Sequence, residues 1–230
     1  MPIVNPILRG TVLCLSLALA AAAADEWRTL FDGKSSAGWL EITGKPFPAT
    51  WAIEDGCLKT SPKPGGMQDI RTVDVFRDFE LEFDWKMLAD GNSGVKYLVQ
   101  KVDEWTNKDG RQARARGLEY QLADDHNPDA ASDPTRVAAA LYSVIAPVPK
   151  ITPRIGEFNH SRLVVIGTHV EHWLNGTKVV TFSTGDAAVQ KQLRTQRGKD
   201  GELLEEGPIS LQNHSSEVWF RGIRVRRLGK

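Results

Sequence analysis

The sequence predicts an all-β chain folded as an antiparallel sandwich or jelly roll, on three observations. Short runs of alternating apolar and polar residues recur along it, Gly, Pro, Asn and Asp punctuate them, and helical periodicity is nearly absent. Many short strands separated by turns need a two-layer or barrel arrangement to bury their apolar faces.

In chain order, WAIEDGCLKT reads as an apolar hairpin. In FELEFDWKM, period-two alternation sets Phe79, Leu81, Phe83 and Trp85 on one face and Glu80, Glu82 and Asp84 on the other. GVKYLVQ and GLEYQL follow, the second placing Leu118, Tyr120 and Leu122 against Glu119 and Gln121. SRLVVIG precedes HVEHWL and TKVVTF, which flank Asn175-Gly176, the dipeptide that most readily forms a type I′ two-residue turn and fixes a hairpin register. Asp186 to Arg197 carries the one helical pattern, a surface excursion between strands. PISLQ and VWFRGIRVRRL close the set. In SLQNHSS, Leu211 and Asn213 alternate with Gln212 and His214.

The chain of 230 residues holds 29 Lys+Arg against 29 Asp+Glu, enough length for one large domain with its own core. Balanced charge gives no clustered cationic face for a nucleic acid. The arginines between Arg221 and Arg226 alternate with Ile223 and Val225, as on the wet face of a strand. Residues 1–24 run from one positive charge at Arg9 through TVLCLSLALAAAAA to small residues before Asp25, the pattern of a secretory signal peptide. The expectation is a single domain over 25–230, periplasmic or secreted, with no membrane segment after cleavage. Lipidation at Cys14 is disfavoured by Thr11 and Leu13. Cys57 is then the only cysteine, so no intrachain disulfide forms, and a buried small apolar role suits it.

The chemistry-bearing stretch is GLEYQLADDHNPDA, residues 117–130. A concave face of Glu, Gln, Lys and His offers paired donors and acceptors to sugar hydroxyls, yet Glu119 and Gln121 are equally well explained as the wet face of a sheet. Asp124, Asp125, His126 and Asp129 fall in a Pro-containing run where Asp and Asn serve turn geometry. Their spacing matches no calcium-loop or zinc signature, which favours a solvated loop over a metal site. Trp39, Trp51, Trp85 and Trp219 are expected in the core. Trp173 fits either setting, and His160, His169 and His172 fit a strand surface or a satisfied core.

The ordered set LFDGKSSAGW, WAIEDGCL, DFELEFDWKM, GNSGVKYLVQ, GLEYQLADDHNPDA, LYSVIAP, HSRLVVIGTHVEHWLNGTKVV and ISLQNHSSEVWFRGIRVRRL closely resembles the 3-keto-disaccharide hydrolase domain family, over about residues 26–228. The resemblance implies a concanavalin A-like jelly roll, secreted by bacteria, acting on glycosides already oxidised at C3. The C3 ketone acidifies the C2 hydrogen, so a general base removes it and the enolate expels the glycosidic oxygen from C1. Water addition then completes a net hydrolysis, unlike the two-carboxylate, oxocarbenium route.

On positions matching the family pattern, Glu119 and His126 or His214 take the acid/base roles. Asp124 and Asp125 orient a histidine or hold a divalent metal ion. Asn92, Lys96, Gln121, Tyr142, His172, Trp173 and Gln212 line the sugar site. One motif departs: where the family pattern reads Leu-Gln-Asp-His, this chain has Asn213. Two other classes compete, a non-catalytic carbohydrate-binding module or lectin and an ordinary two-carboxylate glycosidase. The concentration of Glu, Asp and His in these motifs favours the enzyme acting on an oxidised glycoside.

Overall fold

Period-two alternation becomes strand throughout. Residues 26–60, 65–197 and 204–229 are described, in a computed structural model; the expected leader, residues 1–24, lies outside them. In chain order the strands are β1 (Arg28–Thr29), β2 (Trp39–Glu41), β3 (Trp51–Glu54), β4 (Cys57–Thr60), β5 (Gly65–Gln68), β6 (Ile70–Thr72), β7 (Phe79–Met87), β8 (Asn92–Asn107) and β9 (Gly110–Ala123). A short helix, α1 (Pro128–Ser132), follows. Then come β10 (Asn159–Ile166), β11 (His169–Leu174), β12 (Thr177–Ser183), α2 (Ala187–Arg197), β13 (Ser210–Leu211) and β14 (Val218–Arg227).

The described strands form two sheets of a β-sandwich of jelly-roll type. One runs β12-β11-β10-β7-β14-β4-β3, with β1 beside β14; the other runs β2-β6-β13-β8-β9-β5. Pairing is antiparallel as expected except that β5 lies parallel to β9. The core fills the space between the sheets with Leu81, Phe83 and Trp85 from β7, Val95 and Tyr97 from β8, Leu118, Tyr120 and Leu122 from β9, and Phe220 from β14, all essentially inaccessible. Each such side chain contributes roughly 1.5–3 kcal/mol of burial. Cys57 is buried, as its apolar hairpin predicts.

Two turns follow local chemistry. Asn175 and Gly176 both take positive φ, 48° and 83°, between β11 and β12, as a type I′ turn requires. The β8–β9 hairpin breaks register between Tyr97 and Lys101, where Leu98 sits at φ 47°. Gly117 faces this bulge, and a Cβ there would lie 2.6 Å from the Tyr97 carbonyl oxygen, so no larger residue fits the crossing.

Trp219 corrects an expectation: it is half-buried on the outer face of its sheet, with the Lys59 and Lys86 ammonium groups over its ring at 4.7 and 4.4 Å. Cation–π contact, and not burial in the core, accounts for its place in an apolar strand.

Candidate active site

The β8–β9 ladder builds the floor of a cavity. Lys96 is paired in register with Glu119, and Gly94 with Gln121. Because Val95, Tyr97, Leu118, Tyr120 and Leu122 fill the core, their alternates Lys96, Glu119 and Gln121 are turned to the opposite face of the sheet. They line a cavity of about 350 Å³ with Asn92, Tyr142, Gln212 and His214, a volume at the small end of ligand sites.

Each wall has a local cause. The chain returning after α1 lies along the free edge of β9: Gln121 N–H donates to Ala140 O, Ala139 N–H to Gln121 O and Tyr142 N–H to Glu119 O, bringing Tyr142 over the floor. Beyond β13, Gln212 N–H donates to Gly94 O and the Ser93 hydroxyl to Gln212 O, which fixes Gln212 and, two residues on, the rim residue His214.

A buried carboxylate that the sequence did not single out organises the cations. Asp69, wholly inaccessible between β5 and β6, accepts from Ala115 N–H at 3.0 Å and Lys96 Nζ at 3.1 Å through one oxygen. Through the other it accepts from Asn213 N–H at 3.1 Å and Arg114 Nη1 at 3.3 Å. Lys96 Nζ also donates to Ala115 O and stands 4.0 Å from Glu119 Oε2. Lys96 and Arg114 are therefore held as fixed cations beside Glu119, the one carboxylate among the described residues that lines the cavity. Positioned charge of this kind needs no reorganisation when a ligand develops negative charge.

Glu119 has its pKa raised from the ordinary 4.5, chiefly because burial penalises the carboxylate, with the Lys96 charge opposing. His214 is pushed the other way, below the ordinary 6.5, first by the protein crowded around it and then by Arg114 and Lys96. Its residue surface is nonetheless exposed at the rim, so the burial contribution is smaller than for a core histidine. The floor also presents two buried amide oxygens, Gln121 Oε1 and Gln212 Oε1, with no hydrogen-bond partner among the described residues. Unpaired buried acceptors are costly unless a ligand's hydroxyls reach them.

Seven of the residues expected at a sugar site converge here: Glu119, His214, Asn92, Lys96, Gln121, Tyr142 and Gln212. Five do not. His172 is in the core with no exposure, its Nδ1–H donating to Ala139 O at 2.9 Å and its Nε2 accepting from the Tyr97 hydroxyl at 2.8 Å. Trp173 is on β11, in the other sheet, donating its indole N–H to Glu171 beneath the Arg162 guanidinium. Alternation explains both: His172 points between the sheets and Trp173 away from them.

His126 stands on the loop after β9 with its side chain 88% exposed, bonded at Nδ1 to Asp124. Asp124 is spent on backbone donors, accepting from Asp90 N–H in the turn between β7 and β8 and from His126 N–H on its own loop. Asp125 pairs with Lys150 and accepts from the Thr152 hydroxyl. Asp125 Oδ1 is buried without a hydrogen-bond partner among the described residues, but no group of three His, Cys, Asp or Glu able to hold a metal occurs among them, so these carboxylates do not complete a divalent-cation site. Asn213 is buried, donating to Thr50 O and accepting from Ser215 N–H, on the side away from His214. The amide at this position serves a turn.

Beyond the expected set, Arg114, Arg116, Trp105 and Gln192 also line the cavity. The RQARARG run contained the first two, but its alternation of Arg with Ala reads as a solvated strand. Asp69 carried no sequence signal.

Residues 26–226 match the family model described as a 3-keto-alpha-glucoside-1,2-lyase-like domain. A protein of Bacteroides thetaiotaomicron named 3-keto-disaccharide hydrolase is 34% identical, over 89% of this chain and 79% of its own. Among solved structures, a candidate glycosyl hydrolase from Parabacteroides distasonis superposes with a TM-score of 0.74 at 26% identity, covering 94% of this chain and 99% of that one. A second from the same organism gives 0.67 at 28%, covering 89% and 100%.

Proposed function

The chain belongs to the 3-keto-alpha-glucoside-1,2-lyase-like family, and from that premise we propose that this carbohydrate-active, glycoside-cleaving enzyme acts on glycosides oxidised at C3 of the glucose unit. Substrate enters the β8–β9 cavity. The observation that carries the reading is the register pair Lys96–Glu119, a carboxylate made more basic by burial facing a cation fixed by Asp69.

Glu119 removes the C2 proton, whose acidity the adjacent ketone raises. Lys96 and Arg114 stabilise the negative charge that moves onto the C3 oxygen as the enolate forms. Collapse of the enolate forms the C1–C2 double bond and breaks the bond from C1 to the glycosidic oxygen. Protonated His214 supplies the proton that this oxygen carries away. Water then adds at C1, giving a proton to His214, while Glu119 returns its proton to C2, so both groups regain their starting states. Gln121 and Gln212 accept from the remaining sugar hydroxyls. The apolar run before residue 25 supports export to the periplasm or beyond, where such glycosides are met.

Incubating the purified protein with 3-keto-trehalose and with trehalose, each with and without EDTA, tests this reading. The expected result is release of 3-keto-glucose from the oxidised sugar alone, undiminished by EDTA because the electrophiles are Lys96 and Arg114. Binding without turnover would identify a lectin, and cleavage of trehalose itself an ordinary glycosidase.

A further inference from the structure

Of the seven tryptophans, one is without a partner among the described residues. Trp39, Trp51, Trp85 and Trp173 donate their indole N–H groups to Leu30 O, Gln68 O, the Ser161 hydroxyl and the Glu171 carboxylate. Trp27 lies under Arg224 and Arg226, and Trp219 under Lys59 and Lys86. Trp105 has neither an acceptor for its N–H nor a ring or cation against its face among the described residues, and it is 40% exposed. It is also the one tryptophan that lines the cavity.

A tryptophan partly exposed inside a mostly polar cavity offers a stacking platform to a ring with an apolar face. Trp105 stands on the outer arm of the β8–β9 hairpin, past the bulge after Tyr97, opposite Gln112. Glu119 and Lys96 lie on the inner part of the same hairpin. At roughly 3.3 Å of rise per residue, the stretch of β9 from Gln112 to Glu119 exceeds the width of one pyranose ring, even allowing for the bend. Along the hairpin this leaves room for a second ring on Trp105 beside the one whose C2 meets Glu119. Arg116, whose Nε donates to Asp103 at 2.7 Å, and Gln192, carried in by α2, line the same cavity and offer polar contacts to the edge of such a ring.

We propose that Trp105, with Arg116 and Gln192, forms the subsite for the leaving group, and that the group it takes is a six-membered ring with an apolar face, either a second sugar or an aryl ring. This rests on the reading of the cavity as a glycoside site, but its test does not need turnover. Methyl α-glucoside, trehalose and phenyl α-glucoside, none of them oxidised and so none reactive, are titrated against the full chain by NMR. A ring-bearing probe is expected to bind about tenfold more tightly than the methyl glycoside. The probe that gains tells a sugar leaving group from an aryl one. Trp105→Ala should erase the gain and leave the methyl glycoside unchanged, while Trp105→Phe keeps most of it. Equal affinity for all three probes, or an equal loss on all three in Trp105→Ala, would overturn the subsite. If the contrast holds but no 3-keto glycoside is turned over, the subsite stands and the catalytic reading falls.

Discussion

The carboxylate of Glu119 rests directly over the backbone of Gly94: a Cβ placed on Gly94 would lie 2.2 Å from Glu119 Oε1. Gly94 is thus glycine for the sake of its neighbour, since its own φ is not in the left-handed region. Gly94→Ala should push the carboxylate off its seat while leaving the ladder paired. A displacement of about 1 Å costs on the order of 10²-fold in rate. The expected outcome is that loss in kcat on a 3-keto glycoside with an unchanged circular dichroism spectrum; full activity would mean that the seat is irrelevant to Glu119.

Asp69 ties Lys96, Arg114 and the backbone amides of Ala115 and Asn213 to one buried point. Removing one partner of a buried charge network leaves the others uncompensated, at a cost of about 3–5 kcal/mol. Asp69→Ala should lower stability by that amount in urea unfolding. Asp69→Asn, which keeps the shape but loses the charge, should fold better yet still lose rate. A variant with native stability and native rate would remove Asp69 from both roles.

The dependence of activity on pH follows from two groups shifted toward each other. Glu119 acts ionised, so kcat/KM rises as pH passes its pKa, which burial lifts above 4.5. His214 acts protonated, so kcat/KM falls as pH passes its pKa, held below 6.5. A narrow bell with its maximum between these values is expected. Glu119→Gln should remove the acid limb and lower the maximum by about 10²–10⁴-fold. His126→Ala should leave the profile untouched, because His126 stands outside the cavity. An alkaline limb well above 6.5 would take His214 out of the proton path.

Where residues follow period two, the sequence was legible down to the face. Leu118, Tyr120 and Leu122 separated correctly from Glu119 and Gln121, because alternation is a property of the strand itself; Asn213 and His214 lie past the end of β13, so their separation is set by the loop there and not by strand alternation. His172 and Trp173 were misplaced although their alternation was also readable. Nothing local says which sheet a strand joins, and β11 lies in the sheet opposite the cavity. Asp69 was invisible for a related reason, because its four partners come from three distant parts of the chain. Trp105 went unread because a lone tryptophan in a charged hairpin has no period to betray it. The Asp124–His126 cluster forms the loop that its proline and turn residues suggested, tied also to Asp90, Lys150 and Thr152 on other segments.

His172 supplies a further test, of stability and not of activity. Its ring is sealed between the sheets against Tyr97, Tyr120 and Phe182, and desolvation lowers its pKa from 6.5 to about 4. With Nδ1–H given to Ala139 O and Nε2 accepting from Tyr97, only the neutral ring satisfies both partners. In the unfolded chain the same side chain titrates near 6.5, so between that value and about 4 the unfolded state binds more protons than the native one. Stability from this group is therefore complete above pH 6.5 and declines as pH falls through the window, by about 3 kcal/mol in all. Urea unfolding of the wild type and of His172→Gln at pH 7 and at pH 4.5 separates this share from that of the carboxylates. The variant is expected to be less stable at pH 7 but to lose less on acidification, with KM for the sugar unchanged. An identical loss in both proteins would show that His172 is not the proton acceptor, and a raised KM alone would return it to the sugar site.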